Sequence, residues 1–422
     1  MREMKDSGIK WMGTIPCTWS VEKVKHGFVR KKEEAHQENP TVLSLARAGV
    51  KERDISNNEG QIAESYYNYN PVAIDDLLIN PMDLYSGANC SISKIEGVIS
   101  PAYINLRYLE GHNPNYYDYY FKIQYWMMAF FAHGKGVSFE NRWTLNADTL
   151  MNYPIITPSY EEQCKIVDYL DSKCAKIDSI IEKQQAIIEK LKEYKLSVVT
   201  ETVTKGLNPD VEMKDSGVEW IGEIPKSWTV AKLKNYCELK TGSTPSTSEM
   251  EWFDGDIKWY TPGDFSENYY LGQSSRTLSQ KAKDDNVATI IPKNTVMIVG
   301  IGATAGKIGF TKEECSCNQQ ITALKTKKMD ASYLMYWMIA NTKFLRETAM
   351  FTTLPILNNQ TIGNYIVVAP SDIKEEQEIA EFLDIKSEQI ESKIRNTYSI
   401  INKLLAYKKS LIYEVVTGKK EV

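Results

Sequence analysis

The strongest hint of chemistry in the sequence is Gly300-Ile301-Gly302-Ala303-Thr304-Ala305-Gly306-Lys307. A phosphate-binding loop needs Gly, four residues and Gly-Lys, then Ser or Thr for Mg²⁺. Ile301 stands where the first Gly belongs and Ile308 where the hydroxyl belongs, so the segment reads as a backbone turn. Asn80-Pro81-Met82-Asp83 and Asn113-Pro114-Asn115-Tyr116 approach the Asn-Pro-Pro-aromatic motif of DNA adenine methyltransferases. Each lacks the second proline, and no glycine-rich loop for a methyl donor precedes either. Cys315 and Cys317 form a C-x-C without the second pair that a zinc site needs. Nothing resembles a nucleophile elbow. The chain reads as one that binds and does no chemistry, with no metal and no cofactor of its own.

A second set of residues suits reading of nucleic acid, which takes Arg and Lys for phosphate and guanine and Asn, Gln, Ser and Thr for other edges. In the first half these are Arg47, Lys51, Arg53, Tyr85, Ser86, Asn89, Lys135, Ser138, Asn141 and Arg142. In the second half they are Lys258, Tyr260, Thr261, Thr304, Lys307, Asn318, Gln319, Gln320, Thr352, Thr353, Asn358 and Asn359. Any one of them taken alone is better read as a solvated loop residue; the clustering carries the suggestion. Trp11, Trp19, Trp220 and Trp228 read as buried anchors.

The elements that must position these loops show themselves by repetition. Met4-Lys5-Asp6-Ser7-Gly8 returns as Met213-Lys214-Asp215-Ser216-Gly217, and 12 of 21 positions are identical between 4–24 and 213–233. Glu161-Glu162-Gln163 returns as Glu375-Glu376-Gln377; after a one-residue slip Leu170-Asp171 matches Leu383-Asp384. Between these bookends no alignment is apparent. A fixed frame used twice holds two variable inserts. None of the four histidines (His26, His36, His112, His133) recurs in the second half, which argues against histidine catalysis in a duplicated protein.

Each closing block follows a strand-like run ending in Pro158 or Pro370. Ser159 with Glu162, and Asp372 with Glu375, fit a capping box. Apolar heptads follow. One column is Leu170, Ile177, Gln184, Leu191 and its partner Ile180, Ile187, Tyr194; the second copy gives Leu383, Ile390, Thr397, Leu404 with Ile400 and Tyr407. Ile181, Ile188, Ile394 and Ile401 widen the stripe, as for helices with more than one neighbour. The pattern predicts two paired helices of about 30–40 residues, ~45–60 Å long, with Gly206 closing the first and Gly418 near the end of the second.

The inserts read as short strands (73–81, 97–101, 289–299), helices (119–131, 333–350) and turns in a shared order, an α+β fold used twice. With 422 residues, 42% hydrophobic content and a net charge of −5, the chain has room for two or three domains, and its acidity argues against non-specific coating of nucleic acid. No apolar run approaches the ~20 residues of a membrane span.

This organisation resembles the specificity (S) subunit of Type I restriction-modification systems. The likeness rests on the repeated Gly-x-x-Trp-x-Gly-x-Ile-Pro-x-x-Trp-x-Val opening, the Glu-Glu-Gln…Leu-Asp helix entries, Thr241-Gly242-Ser243-Thr244-Pro245, Trp252–Trp259 and Gly302–Gly309. The first half has no Thr-Gly-x-Thr-Pro segment, Arg30-Lys31-Lys32-Glu33-Glu34 lying nearby instead. The resemblance implies an internally duplicated α+β fold with two globular target recognition domains, separated by a pair of long antiparallel helices and related by a pseudo-two-fold. The divisions would be 1–158, a helix at 159–206, 207–370, and a helix at 371–422. It further implies a cytoplasmic, non-catalytic reader of bipartite double-stranded DNA in a bacterium or archaeon. Two methyltransferase (M) subunits that bind S-adenosylmethionine would dock on it, with restriction (R) subunits for cleavage. A protein-only coiled-coil adaptor and a self-contained DNA-modifying enzyme with degenerate motifs are the rival readings.

Overall fold

The structure, a computed structural model, describes residues 2–422 except 47, 56–62, 83, 85–88, 138–142, 267, 348–349 and 352–354. The chain forms two compact units, Met1–Gln184 with Ser399–Val422, and Gln185–Tyr398. Both boundaries fall inside long helices, Tyr160–Lys205 and Ile373–Val416. The helices are therefore not domains of their own: each unit takes the first part of one and the last part of the other. At 46 and 44 residues they are longer than the heptads alone suggested, because their first turns precede the heptad run.

Each unit is α+β and is closed by an antiparallel strand pair joining its start to its end. Ser20–Lys23 pairs with Pro154–Thr157, and Thr229–Lys232 with Ile366–Ala369. Each also holds a four-stranded antiparallel sheet of the same order. In the first unit that order is Phe28–Lys31, Ile104–Tyr108, Leu77–Ile79, Cys90–Ile92. In the second it is Cys237–Thr241, Ile321–Thr326, Thr295–Val299, Ile308–Thr311. The second unit adds another four-stranded sheet, ordered Arg276–Leu278, Phe253–Tyr260, Cys315–Cys317, Ile290–Ile291.

Three elements differ from the sequence expectation. The first insert's helix is Pro114–Trp126, not 119–131, because Asn113 caps it through its side chain and Pro114 opens it, needing no N–H there. The methyltransferase-like Asn113-Pro114 is thus a helix start. The 333–350 helix is two helices, Ala331–Ala340 and Thr342–Glu347, broken at Asn341, whose side chain bonds back to the Trp337 carbonyl. The 289–299 run is two strands, Ile290–Ile291 and Thr295–Val299, separated by a turn with Asn294 at φ 55°.

The frame is tied the same way in each unit. Trp19 and Trp228, both 1% exposed, donate their indole N–H groups to Glu162 (2.9 Å) and Glu375 (3.0 Å). These are the glutamates of the expected capping boxes. Ser159 does accept the Glu162 N–H at 3.3 Å, but the carboxylates serve tryptophans. The pairing equates Glu162 with Glu375 and removes the slip: Gln163 corresponds to Glu376, not Gln377. Gln163 accepts the Asn113 N–H and Glu376 the Asp330 N–H, each at the cap of the insert's helix. Tyr116 and Tyr333 donate to Val416 O and Val203 O, each at 3.0 Å, occupying last-turn carbonyls that have no helical partner. Gly206 (φ 77°) and Gly418 (φ 72°) then close the helices against Trp228 and Trp19.

Within each unit the two helix segments run antiparallel. In the second, Lys195 bonds to Glu391 (2.8 Å) while Gly206 lies beside Glu375. In the first, Lys408 bonds to Asp178 (2.6 Å) while Gly418 lies against Trp19, itself bonded to Glu162. Leu170, Ile177, Leu383, Ile390 and Thr397 are buried, with Gln184, Leu191 and Leu404 half-buried. The second heptad column needs correction. Ile180, Ile187, Tyr194, Ile400 and Tyr407 are exposed, and Ile181, Ile188, Ile394 and Ile401 are buried in their place. A seam steps three or four residues at a time, and 3.6 residues per turn puts the next residue on the inner face.

Candidate nucleic-acid interface

In the second unit, Cys237–Thr241, Ile321–Thr326 and Thr295–Val299 bring Thr241, Ile321 and Val299 to one edge of the sheet. The loops there are stitched through backbone and amides. Gly242 N–H donates to Ile321 O (3.0 Å), Gly300 N–H to Gln320 O (2.7 Å) and Leu357 N–H to Gly300 O (2.7 Å). Asn359 spans two strands, donating to Thr241 Oγ1 (2.9 Å) and accepting from Thr322 (2.8 Å). Thr244 bonds Gln319. Gly242 is required, since a Cβ would lie 2.3 Å from the Cys317 and Asn318 carbonyls.

This edge brings together Thr304, Asn318, Gln319, Gln320, Asn358 and Asn359. Of these, Gln319 is exposed and Thr304 and Gln320 half-buried. Asn318 is buried, with its amide spent on Gln320. Asn358 caps a helix by accepting the Thr361 N–H. These two shape the loops. Three further candidates are not placed to read. Lys258 pairs with Glu313 at 2.9 Å, Tyr260 is buried with its hydroxyl on Gly272 O (2.7 Å), and Thr261 closes a turn with Asp264. Lys307 gives its ammonium to Phe265 O at 3.1 Å. Thr352 and Thr353 lie outside the described residues.

In the first unit, Lys51 is exposed on the Leu43–Ala46/Gly49–Glu52 hairpin, and the half-buried Arg53 follows it with its N–H on Val42 O. Asn89 donates to Ala46 O and ties its loop to that hairpin. Lys135 is exposed at a separate bridge to Thr144. Arg47, Tyr85, Ser86, Ser138, Asn141 and Arg142 lie outside the described residues.

The sequence reading missed Arg346. Its guanidinium Nε donates to Ala305 O (2.8 Å), its side chain is exposed, and its stem lies over Gly306. An arginine in a stretch read as one continuous helix gives no such signal; only the packing against Gly306 reveals it.

Burial pushes the Cys315 thiol up to about 12, keeping it protonated and unreactive. Among the described residues no group of three or more His, Cys, Asp or Glu could hold a metal ion, and no helix is long and apolar enough to cross a membrane.

Residues 225–398, which cover the second insert and the first part of the helix Ile373–Val416, match the Type I restriction modification DNA specificity domain. Over this segment the chain is similar to the specificity subunits of Type I restriction-modification systems. It is 32% identical over 178 residues to the MjaIX specificity subunit of Methanocaldococcus jannaschii, covering 41% of each chain. To the HindI specificity subunit of Haemophilus influenzae it is 26% identical, covering 35% of this chain and 33% of that one. These matches span well under half of either relative. The EcoBI specificity subunit of Escherichia coli matches at 23% over 96% of this chain and 87% of its own. In fold, a chain from a type I R-M system complex superposes with a TM-score of 0.73 at 13% identity, covering 96% of this chain and 99% of that one. The HsdS subunit from Thermoanaerobacter tengcongensis gives 0.51 at 13%, covering 96% and 98%.

Proposed function

We propose that the chain is the non-catalytic DNA-reading subunit of a Type I restriction-modification assembly, each unit reading one half of a bipartite duplex target. The observation that carries this is one frame used twice, with the same Trp–Glu and Tyr–carbonyl ties, holding inserts whose loops differ. Fixed scaffolds with variable loops suit specificity that must change without loss of assembly. Two M subunits, carrying S-adenosylmethionine, dock on the chain in the cytoplasm, and R subunits join for cleavage. The equivalent exposed pairs Ile187/Tyr194 and Ile400/Tyr407 supply matching apolar stripes for two copies of one partner.

The test is co-expression with the M subunits and sequencing of modified bases. The expected result is a target of two fixed halves separated by a non-specific gap, lost when this chain is omitted. A single continuous motif, or modification that persists without the chain, refutes it. A protein-only adaptor would leave the assembly's DNA affinity absent or indifferent to salt, whereas phosphate contacts make affinity fall with salt.

A further inference from the structure

Arg346 is built differently from the other cations near the reading edge. Lys307 is spent on Phe265 O and Lys258 on Glu313. Arg346 uses only Nε, donated to Ala305 O at 2.8 Å, while Nη1 and Nη2 have no protein partner among the described residues. Its aliphatic stem rests on Gly306: a Cβ there would lie 2.5 Å from Arg346 Cγ, and Gly306 holds φ 83°. The 300–306 loop is itself fixed, through Gly300 to Gln320 and Leu357 and through Gly302 to Pro355. The side chain is thus anchored at both stem and Nε, with its terminal pair of N–H donors left for something else.

We propose that Arg346 is a specificity-determining residue that presents its Nη fork to the O6/N7 edge of a guanine in the half-site read by the second unit. This rests on the DNA-reading function proposed above. Guanine's two adjacent acceptors match a two-donor fork, and Arg–guanine is the commonest specific contact in the major groove. A side chain that serves only to neutralise phosphate needs no such anchoring, because charge attraction tolerates a mobile ammonium. Arg346 is exposed, so its replacement opens no cavity.

The experiment uses the full chain assembled with its M subunits, on a library randomised across both half-sites, with wild type, Arg346→Ala and Arg346→Lys. Expected is a loss of preference at one G·C position of one half-site, roughly tenfold or more, with the other half-site and the gap unchanged. Arg346→Lys should behave as Arg346→Ala, because lysine keeps the charge but not the fork. Rescue by lysine, equal weakening across all sequences with a salt slope reduced by about one, or no change at all overturns the proposal. A wild-type complex with no bipartite preference would instead refute the proposed function itself.

Discussion

The Trp228 indole N–H donates to the Glu375 carboxylate at 3.0 Å, joining the opening of the second unit to the first turn of its long helix. The indole is buried, so its N–H needs a partner. The carboxylate sits at a helix N-terminus, where the peptide dipoles favour negative charge. Glu375→Ala leaves the donor unsatisfied and should cost about 1–3 kcal/mol, while Trp228→Ala should cost about 3–5 kcal/mol. Denaturant unfolding of the chain would measure both. A shift under 0.5 kcal/mol for either would contradict this role for the tie.

Glu376 gives the second unit a pH dependence. It is 2% exposed. Burial chiefly, then the nearby Asp330, Asp372 and Glu375, raise its carboxyl from 4.5 to about 7, against the lowering effect of the Asp330 N–H. The folded state therefore holds a proton that the unfolded chain releases above 4.5. Its contribution to stability is full below that value and is lost as pH rises towards about 7, by no more than ~3 kcal/mol. Gln163, its counterpart, makes the corresponding cap contact without a titrating proton and donates to Pro158 O (2.9 Å). Glu376→Gln should flatten the stability profile between pH 5 and 7.5, read from melting temperatures across that range. An unchanged profile would count against it.

The corrected helix seam separates stability from partner binding. Ile188→Ala and Ile394→Ala remove buried side chains and should each cost about 2–5 kcal/mol. Ile187→Ala with Ile400→Ala alters exposed positions, so stability should move by less than about 0.5 kcal/mol each, while co-purification with M subunits weakens. The reverse pattern would restore the original heptad assignment.

The gap between half-sites should follow helix length. Adding four residues to both helices, after Gln184 and after Tyr398 where the chain passes between units, adds ~6 Å of helix. At ~3.4 Å per base pair, the preferred gap should lengthen by about one or two base pairs. Modification sequencing reads this directly. Altered half-sites with an unchanged gap would show that the helices do not set the spacing.

The sequence alone determined the repeat, because the frame residues make the same contacts twice and were kept as the same types. Trp19 and Trp228, the helix caps at Ser159 and Asp372, and the closing Gly206 and Gly418 are all legible as local patterns. Tertiary structure decided what the sequence left hidden inside the inserts. Tyr116 and Tyr333 do one task at the ends of different helices, yet the sequences around them do not align, and it is their hydroxyl contacts and the matching contacts of the caps at Asn113 and Asp330 that equate them. The same holds for the candidate reading residues. Tyr260, Asn318 and Lys307 are polar residues in loop-like sequence, but hydrogen bonds made in the folded chain consume their polar groups, Asn318 with the nearby Gln320 and the other two with more distant backbone carbonyls. Arg346 became visible only through the glycine beneath it. Local pattern tells which residues can bond; which of them remain unspent is settled only when the chain is folded, since partners such as those of Lys307 and Arg346 lie 42 and 41 residues away.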